Sequence, residues 1–133
     1  MILVDTSVWI DYFNGKENKH TDTLDAHLEG DTVAMGDLIF LEILQGFRND
    51  KDYKQAKATL QSLGQYEMFN SELALKCADN YRKLRKKGIT IRRSTDVMIA
   101  TFCIENKLPL LFSDRDFMPF VEHLKMKSVL KET

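Results

Sequence analysis

The sequence predicts an α/β domain in which a central, mostly parallel sheet is flanked by helices. Short apolar segments with strand character alternate along the chain with longer segments whose apolar residues recur at helical spacing, which is typical of parallel sheets. The length of 133 residues suits one domain, and an apolar content of 44% suits one core. No repeat, linker or low-complexity tract interrupts the chain. We therefore expect residues 1–133 to form a single domain.

The first half of the chain is predicted to contain two strands and four helices. The opening strand is apolar up to its last residue, Asp5, and three of the four helices end just before glycine or asparagine, which commonly terminate helices. The expected elements are a strand at 2–5, a helix from Thr6 or Ser7 to about Phe13, a helix at 21–29, a strand at 32–35, and helices at 38–47 and 50–63.

The second half is predicted to continue the alternation. Its longest helix opens at Asn70 or Ser71, because either side chain can cap it, and ends at Gly88. Ser94 or Thr95 caps the next helix. The expected elements are strands at 66–69, 109–112 and 127–130, and helices from 70 or 71 to 88, at 96–106 and at 116–122.

Several functional classes are disfavoured by composition. The densest apolar run, residues 97–104, is far shorter than the ~20 residues of a membrane span. No basic residue precedes the first apolar run, so we expect no signal peptide and a protein that works in the cytoplasm without membrane contact. Cys77 and Cys103 form no CxxC pair, and both are expected to be buried free thiols.

Basic residues are concentrated in one segment, although the net charge is only −1. Residues 82–93 contain basic side chains and no acid, so the remainder of the chain is acidic. A solvated helix end would explain this segment, and so would a surface that binds nucleic acid. The basic residues are Arg82, Lys83, Arg85, Lys86, Lys87, Arg92 and Arg93.

Three acids lie at the ends of predicted strands. Asp5 follows the first strand, and Asp114 and Asp116 follow the strand at 109–112. In open parallel sheets ligands bind beyond the carboxyl ends of the strands, so these carboxylates are candidates for a site. Turn or capping roles are the alternative for all three. For Asp5 that alternative is the weaker one, since Thr6 and Ser7 can cap the following helix.

Two further acids lie within predicted helices. Glu42 is surrounded by apolar residues, and a buried carboxylate is seldom left without a partner, although a narrow wet face or a pair with Lys or Arg would also explain it. Asp96 begins a helix, where an acid is favourable on structural grounds alone. Asp37 lies five positions before Glu42, about 140° away around a helix, and is interpreted as a helix N-terminal acid.

Taken together, these acids suggest a metal site. Several carboxylates brought to one crevice repel one another unless a cation joins them. Oxygen ligands favour Mg²⁺ or Mn²⁺ over Zn²⁺. A site of this kind can activate a water and neutralise the charge that develops on a phosphodiester.

These segments resemble the PIN-domain ribonucleases, and within them the VapC-type toxins of type II toxin–antitoxin pairs. The resemblance extends over essentially the whole chain, through four short motifs in a particular order and spacing. The motifs are residues 2–11 (ILVDTSVWID), 42–46 (EILQG), 94–100 (STDVMIA) and 110–117 (LLFSDRDF).

The resemblance implies a PIN-like fold and a Mg²⁺-dependent endoribonuclease, with Mn²⁺ as a possible substitute, that hydrolyses RNA by a metal-activated water. Transfer RNA is among the family's substrates, many members form homodimers, and a small VapB-like antitoxin blocks the site. It also implies that Asp5, Glu42, Asp96 and Asp114 are metal-binding or catalytic, with Asp116 as a further acid. The choice between Asp114 and Asp116 stays open.

Neighbouring residues gain roles from the same resemblance. Thr6 matches a small hydroxyl residue that orients ligands or water beside the first acid. Arg92 and Arg93 precede Asp96 and could contact RNA phosphates. Trp9 and Tyr12 could stack on bases, but packing explains them better.

Three rival functions are weighed against this one. An Asp-nucleophile phosphatase would want a second acid at position 7, where this chain has Ser7. A metal-binding glycosyltransferase would rest on the acid-x-acid triplet at 114–116 alone, and the chain is short for one. A non-catalytic PIN-like module that binds RNA or protein would have no need of all five acids.

Overall fold

The computed structural model describes residues 1–131 and contains one four-stranded sheet flanked by helices. The strand order is β3-β2-β1-β4, and every pairing between these strands is parallel. The α/β prediction is therefore confirmed. The strands are β1 (Ile2–Val4), β2 (Val33–Gly36), β3 (Gly64–Tyr66) and β4 (Leu110–Leu111). The helices are α1 (Thr6–Phe13), α2 (Lys19–Glu29), α3 (Asp37–Gln45), α4 (Asp50–Gln61), α5 (Ser71–Lys86), α6 (Ser94–Asn106) and α7 (Met118–Leu124), with a 3₁₀ turn at Arg115–Phe117.

The core lies around the central strands and α6. All residues of β1, β2 and β4 are buried, because parallel strands are covered by the helices that connect them. Helix α6 is buried on almost every side, with Ile99, Ala100 and Phe102 all in the core. This burial carries the polar first turn of α6 into the protein, which matters for the site described below.

Two predicted strands differ from those observed. The third strand is Gly64–Tyr66 rather than residues 66–69, because Gly64 pairs with Ala34 of β2 as well as following a helix. The strand predicted at 127–130 is reduced to one parallel bridge between Leu110 and Ser128, after which the chain bends. Gly64 therefore begins a strand instead of only marking a helix end, and residues 127–130 bond too little to the sheet to form a strand.

Other sequence predictions are confirmed by burial. Trp9 is fully buried and stacks on Phe13 with ring centroids 5.8 Å apart, so packing and not base stacking explains it. Cys77 and Cys103 are buried free thiols. Burial raises the pKa of both thiols, most strongly that of Cys103, so neither is a ready nucleophile. Within residues 1–131, no helix is long and apolar enough to cross a bilayer.

Candidate metal and nucleic-acid site

The site lies where the strand order changes direction. The chain runs from β1 outward to β2 and β3 and then returns to form β4 on the other side of β1. Parallel sheets open a crevice at such a point, beyond the carboxyl ends of the strands. The backbone N–H of Asp5 donates to the carbonyl of Leu111 at 2.9 Å, so the end of β1 is held against the end of β4. Asp5 and the β4 acids therefore belong to one edge of the sheet.

Asp5 is buried, with 4% of its surface exposed, and its side chain caps α1. Its Oδ2 accepts hydrogen bonds from the Ser7 hydroxyl at 2.8 Å and the Ser7 N–H at 3.4 Å. The expectation that Thr6 or Ser7 would cap this helix is wrong, because Asp5 itself has the extended backbone of a cap residue. The Ser7 hydroxyl also lies 3.2 Å from that of Ser113, which links the two strand ends.

The environment of Asp5 disfavours its charged form. Burial raises its pKa from 3.8 to about 6, and the nearby carboxylate of Asp96 adds to the rise, while the hydrogen bonds from Ser7 oppose it. Asp96 is also buried, with 3% exposed. Among residues 1–131, no basic side chain forms an ion pair with Asp5. The site thus holds two buried acids of which only one, Asp96, has a cationic partner.

Glu42 approaches the same edge from α3. Its Oε1 accepts a hydrogen bond from the Thr6 hydroxyl at 2.8 Å, and Thr6 directly follows Asp5. Glu42 is half-buried rather than surrounded by core, and the neighbouring Leu41 is 59% exposed, so this part of α3 reaches the surface. The partner of the Glu42 carboxylate is therefore the hydroxyl of Thr6 and not a Lys or Arg side chain. This hydrogen bond fixes the direction in which the carboxylate points.

Asp96 connects the remaining acids. Burial is the main cause that raises its pKa, Arg93 lowers it, and the negative charges of Asp114 and Glu42 raise it further. Both acids are therefore within electrostatic range of Asp96, and Arg93, bonded to Asp96 and Asp114, bridges two of them. The structure therefore brings together four of the predicted site acids, Asp5, Glu42, Asp96 and Asp114, as electrostatic neighbours.

Arg93 and Arg92 contact different acids. The Nε and Nη2 of Arg93 donate to Oδ2 and Oδ1 of Asp96, each at 3.2 Å, and Nη2 also donates to Oδ2 of Asp114 at 3.3 Å. Arg92 donates to Oδ2 of Asp116 at 3.2 Å and is otherwise exposed. Asp114 thus belongs to the Asp96 cluster, and Asp116 lies on its rim.

Asp37 has the structural role predicted for it. It is the first residue of α3, and its Oδ1 accepts from the backbone N–H groups of Leu38 at 2.8 Å and Met68 at 3.1 Å. These bonds attach the segment after β3 to the start of α3.

The donor set fits a hard divalent cation in its chemistry, although the side chains are not arranged around one. Within residues 1–131, no three Asp, Glu, His or Cys side chains are arranged to hold a metal ion. The oxygens of Asp96 and one oxygen of Asp114 are instead bonded to Arg93. The four acids offer only oxygen ligands, and Asp5 carries a buried carboxyl without a counter-charge. The oxygen ligands favour Mg²⁺ or Mn²⁺ over a softer metal, and the unpaired carboxyl of Asp5 favours a bound cation in general.

Comparison with known proteins identifies the fold class. The sequence model of the PIN domain matches residues 2–119, and the chain therefore belongs to the PIN domain family. Among curated relatives, ribonuclease VapC11 of Mycobacterium tuberculosis and VapC ribonuclease Mb1587 of Mycobacterium bovis are each 29% identical over 119 residues, covering 88% of this chain and 89% of theirs.

Solved structures agree on the fold. VapBC2 from Rickettsia felis, bound to a DNA fragment from its promoter, superposes with a TM-score of 0.76 at 16% identity, covering 96% of this chain and 97% of the other. A toxin–antitoxin complex from Klebsiella pneumoniae gives a TM-score of 0.71 at 14% identity with the same coverage. The family resemblance and the PIN-like fold predicted from the sequence are thus confirmed.

Proposed function

We propose that this chain is a Mg²⁺-dependent endoribonuclease, with Mn²⁺ as an alternative ion, and the toxin of a type II toxin–antitoxin pair. The observation that carries the proposal is the clustering of Asp5, Glu42, Asp96 and Asp114 at the switch point of a PIN-domain sheet. Relatives named VapC ribonuclease support RNA hydrolysis as the activity. RNA, with transfer RNA as one candidate, would be met in the cytoplasm.

In this proposal Asp5 and Asp96 hold the ion, with Asp114 and Glu42 completing its surroundings. A bound divalent cation supplies a water of lowered pKa and neutralises charge that develops on the phosphate. Ser7 orients Asp5 through its hydroxyl, and Thr6 orients Glu42 in the same way. The sequence indicates Ser7 only as a possible helix cap, although a hydroxyl two residues after an acid is a signal that could have pointed to its bond with Asp5.

The ion pairs favour Asp114 over Asp116 as the acid that acts with Asp96. Arg93 joins Asp114 to Asp96, whereas Asp116 pairs with Arg92, whose side chain is 81% exposed. Asp116 then serves as an outer acid, and Arg92 is the better placed of the two arginines to meet an RNA phosphate.

The proposed partners are RNA, a VapB-like antitoxin and a second copy of the chain. The structures that share this fold include VapBC2 and a second toxin–antitoxin complex, which supports an antitoxin. Ile10 and Leu41, on α1 and α3, are large apolar side chains left exposed and available for such contacts. We assign residues 1–133 to one PIN domain.

The test is RNA cleavage by the purified chain with and without EDTA. Mg²⁺ should support cleavage, chelation should abolish it, and Asp96→Asn should be inactive although folded by circular dichroism. Asp50→Asn, which alters an exposed acid on α4, is the matched control and should cleave normally. Cleavage that survives chelation would refute the metal mechanism. Equal loss in Asp116→Asn and Asp114→Asn would refute the preference for Asp114.

A further inference from the structure

Arg93 covers the oxygens that the proposed site needs for an ion. It directly precedes α6, and its guanidinium reaches both oxygens of Asp96 and one oxygen of Asp114. One side chain therefore takes three acceptor positions on two of the four clustered acids. Arg93 nevertheless remains 55% exposed, so nothing encloses it in this position.

Arg92 provides an internal comparison. It is adjacent in sequence and carries the same charge, but its ion-pair partner among residues 1–131 is Asp116, on the rim. Both arginines contribute positive potential near the site, whereas Arg93 alone is bonded to the clustered acids. A specific effect of Arg93 can therefore be separated from a general effect of positive charge.

We propose that Arg93 is a built-in competitor of the divalent cation. The proposal rests on the function proposed above, since it concerns the same carboxylates. Without an ion, the guanidinium supplies the positive charge that buried Asp96 and neighbouring Asp114 require. A cation bound to those oxygens would repel and displace it, because two positive groups cannot share the same lone pairs at short range. The exposed side chain can then swing outward, where an RNA phosphate offers it a new partner.

The expected effect is on ion affinity and is independent of cleavage. Mn²⁺ binding to the full chain without RNA is measured by electron paramagnetic resonance. Arg93→Gln should bind Mn²⁺ about fivefold more tightly than the unmodified chain, the gain corresponding to removal of one partly exposed ion-pair partner. Arg93→Lys, which keeps the charge but loses the forked contact, should lie between them. Arg92→Gln should change affinity by less than about twofold, since its contact is at the rim.

A second measurement follows Arg93 directly. In a Mg²⁺ titration, the side-chain N–H resonance of Arg93 should move and exchange faster with water as its bonds to Asp96 break. Unchanged or weaker Mn²⁺ binding in Arg93→Gln, or an Arg93 resonance unaffected by saturating Mg²⁺, would overturn the inference while leaving the metal site intact. Failure of the unmodified chain and all three variants to bind Mn²⁺ would instead refute the proposed metal site, and the inference with it.

Discussion

Replacement of Asp5 by Asn should stabilise the ion-free protein at neutral pH. The folded state holds the Asp5 proton more tightly than the unfolded chain, since its pKa rises from 3.8 to about 6. An acid with a raised pKa lowers stability as pH increases from about 4 to about 6, because the unfolded chain ionises first. At ~1.36 kcal/mol per pKa unit, the full penalty above about pH 6 is about 3 kcal/mol.

Asn escapes this penalty and keeps the local structure. It carries no charge, and its side-chain oxygen can still accept the hydrogen bonds from Ser7 that cap α1. We expect the free energy of unfolding of Asp5→Asn to exceed that of the unmodified chain by up to about 3 kcal/mol at about pH 7.5, and to match it near pH 4.

The assay is urea unfolding in EDTA at both pH values, with equal m-values required of the two proteins. Asp50→Asn is the control, since Asp50 is an exposed acid in the first turn of α4. Its loss should lower stability at neutral pH by up to about 1 kcal/mol, the opposite direction. Asp5→Asn that is less stable at pH 7.5, or that differs from the unmodified chain by the same amount at both pH values, would refute the reasoning.

Three further perturbations test separate contacts. Thr6→Val should lower the cleavage rate about tenfold or more because Glu42 loses its hydroxyl partner, whereas Thr6→Ser should retain the rate; an unaffected Thr6→Val rate would contradict this role. Arg92→Ala should weaken RNA binding and reduce the slope of log affinity against log salt by about 1, measured by fluorescence anisotropy, and an unchanged slope would make Arg92 ordinary surface. Gly36→Ala should lower the free energy of unfolding by about 1–3 kcal/mol, because the added Cβ would lie 2.2 Å from Sδ of Met68. If urea unfolding shows the same loss in a Met68→Ala background, the clash with Met68 is excluded.

The sequence predicted the fold well where signals were local. The longest helix, Ser71–Lys86, begins after the predicted asparagine cap, and its C-cap residue Lys87 directly precedes the predicted glycine. The sequence did not predict the strands whose extent depends on hydrogen bonding to a neighbouring strand. Gly64 follows a helix that ends at Gln61, and it also starts a strand, which only the parallel ladder with β2 reveals. The same holds for residues 127–130, which are apolar enough for a strand but meet β4 at a single bridge.

The acids of the site could be predicted from the sequence, but their hydrogen-bond and ion-pair partners could not. Asp5 and Asp114 could be inferred because acids that follow parallel strands reach a common edge. The capping role of Asp5 depends on a backbone conformation that composition does not encode. Arg93 was expected to face RNA, whereas the structure pairs it with Asp96 and Asp114. A basic residue three positions before a helix-start acid is the signal that indicates such a pair.

The hydrogen bond from the Asp5 N–H to the Leu111 carbonyl has a consequence for synthesis of the protein. A nascent chain that ends before Leu110 already carries Asp5, Glu42 and Asp96, yet lacks the strand that completes the crevice. The bond from the Asp5 N–H to Leu111, and Asp114 itself, are both missing from such a chain. A fragment released early from translation would therefore hold three of the four acids without the strand that closes the crevice.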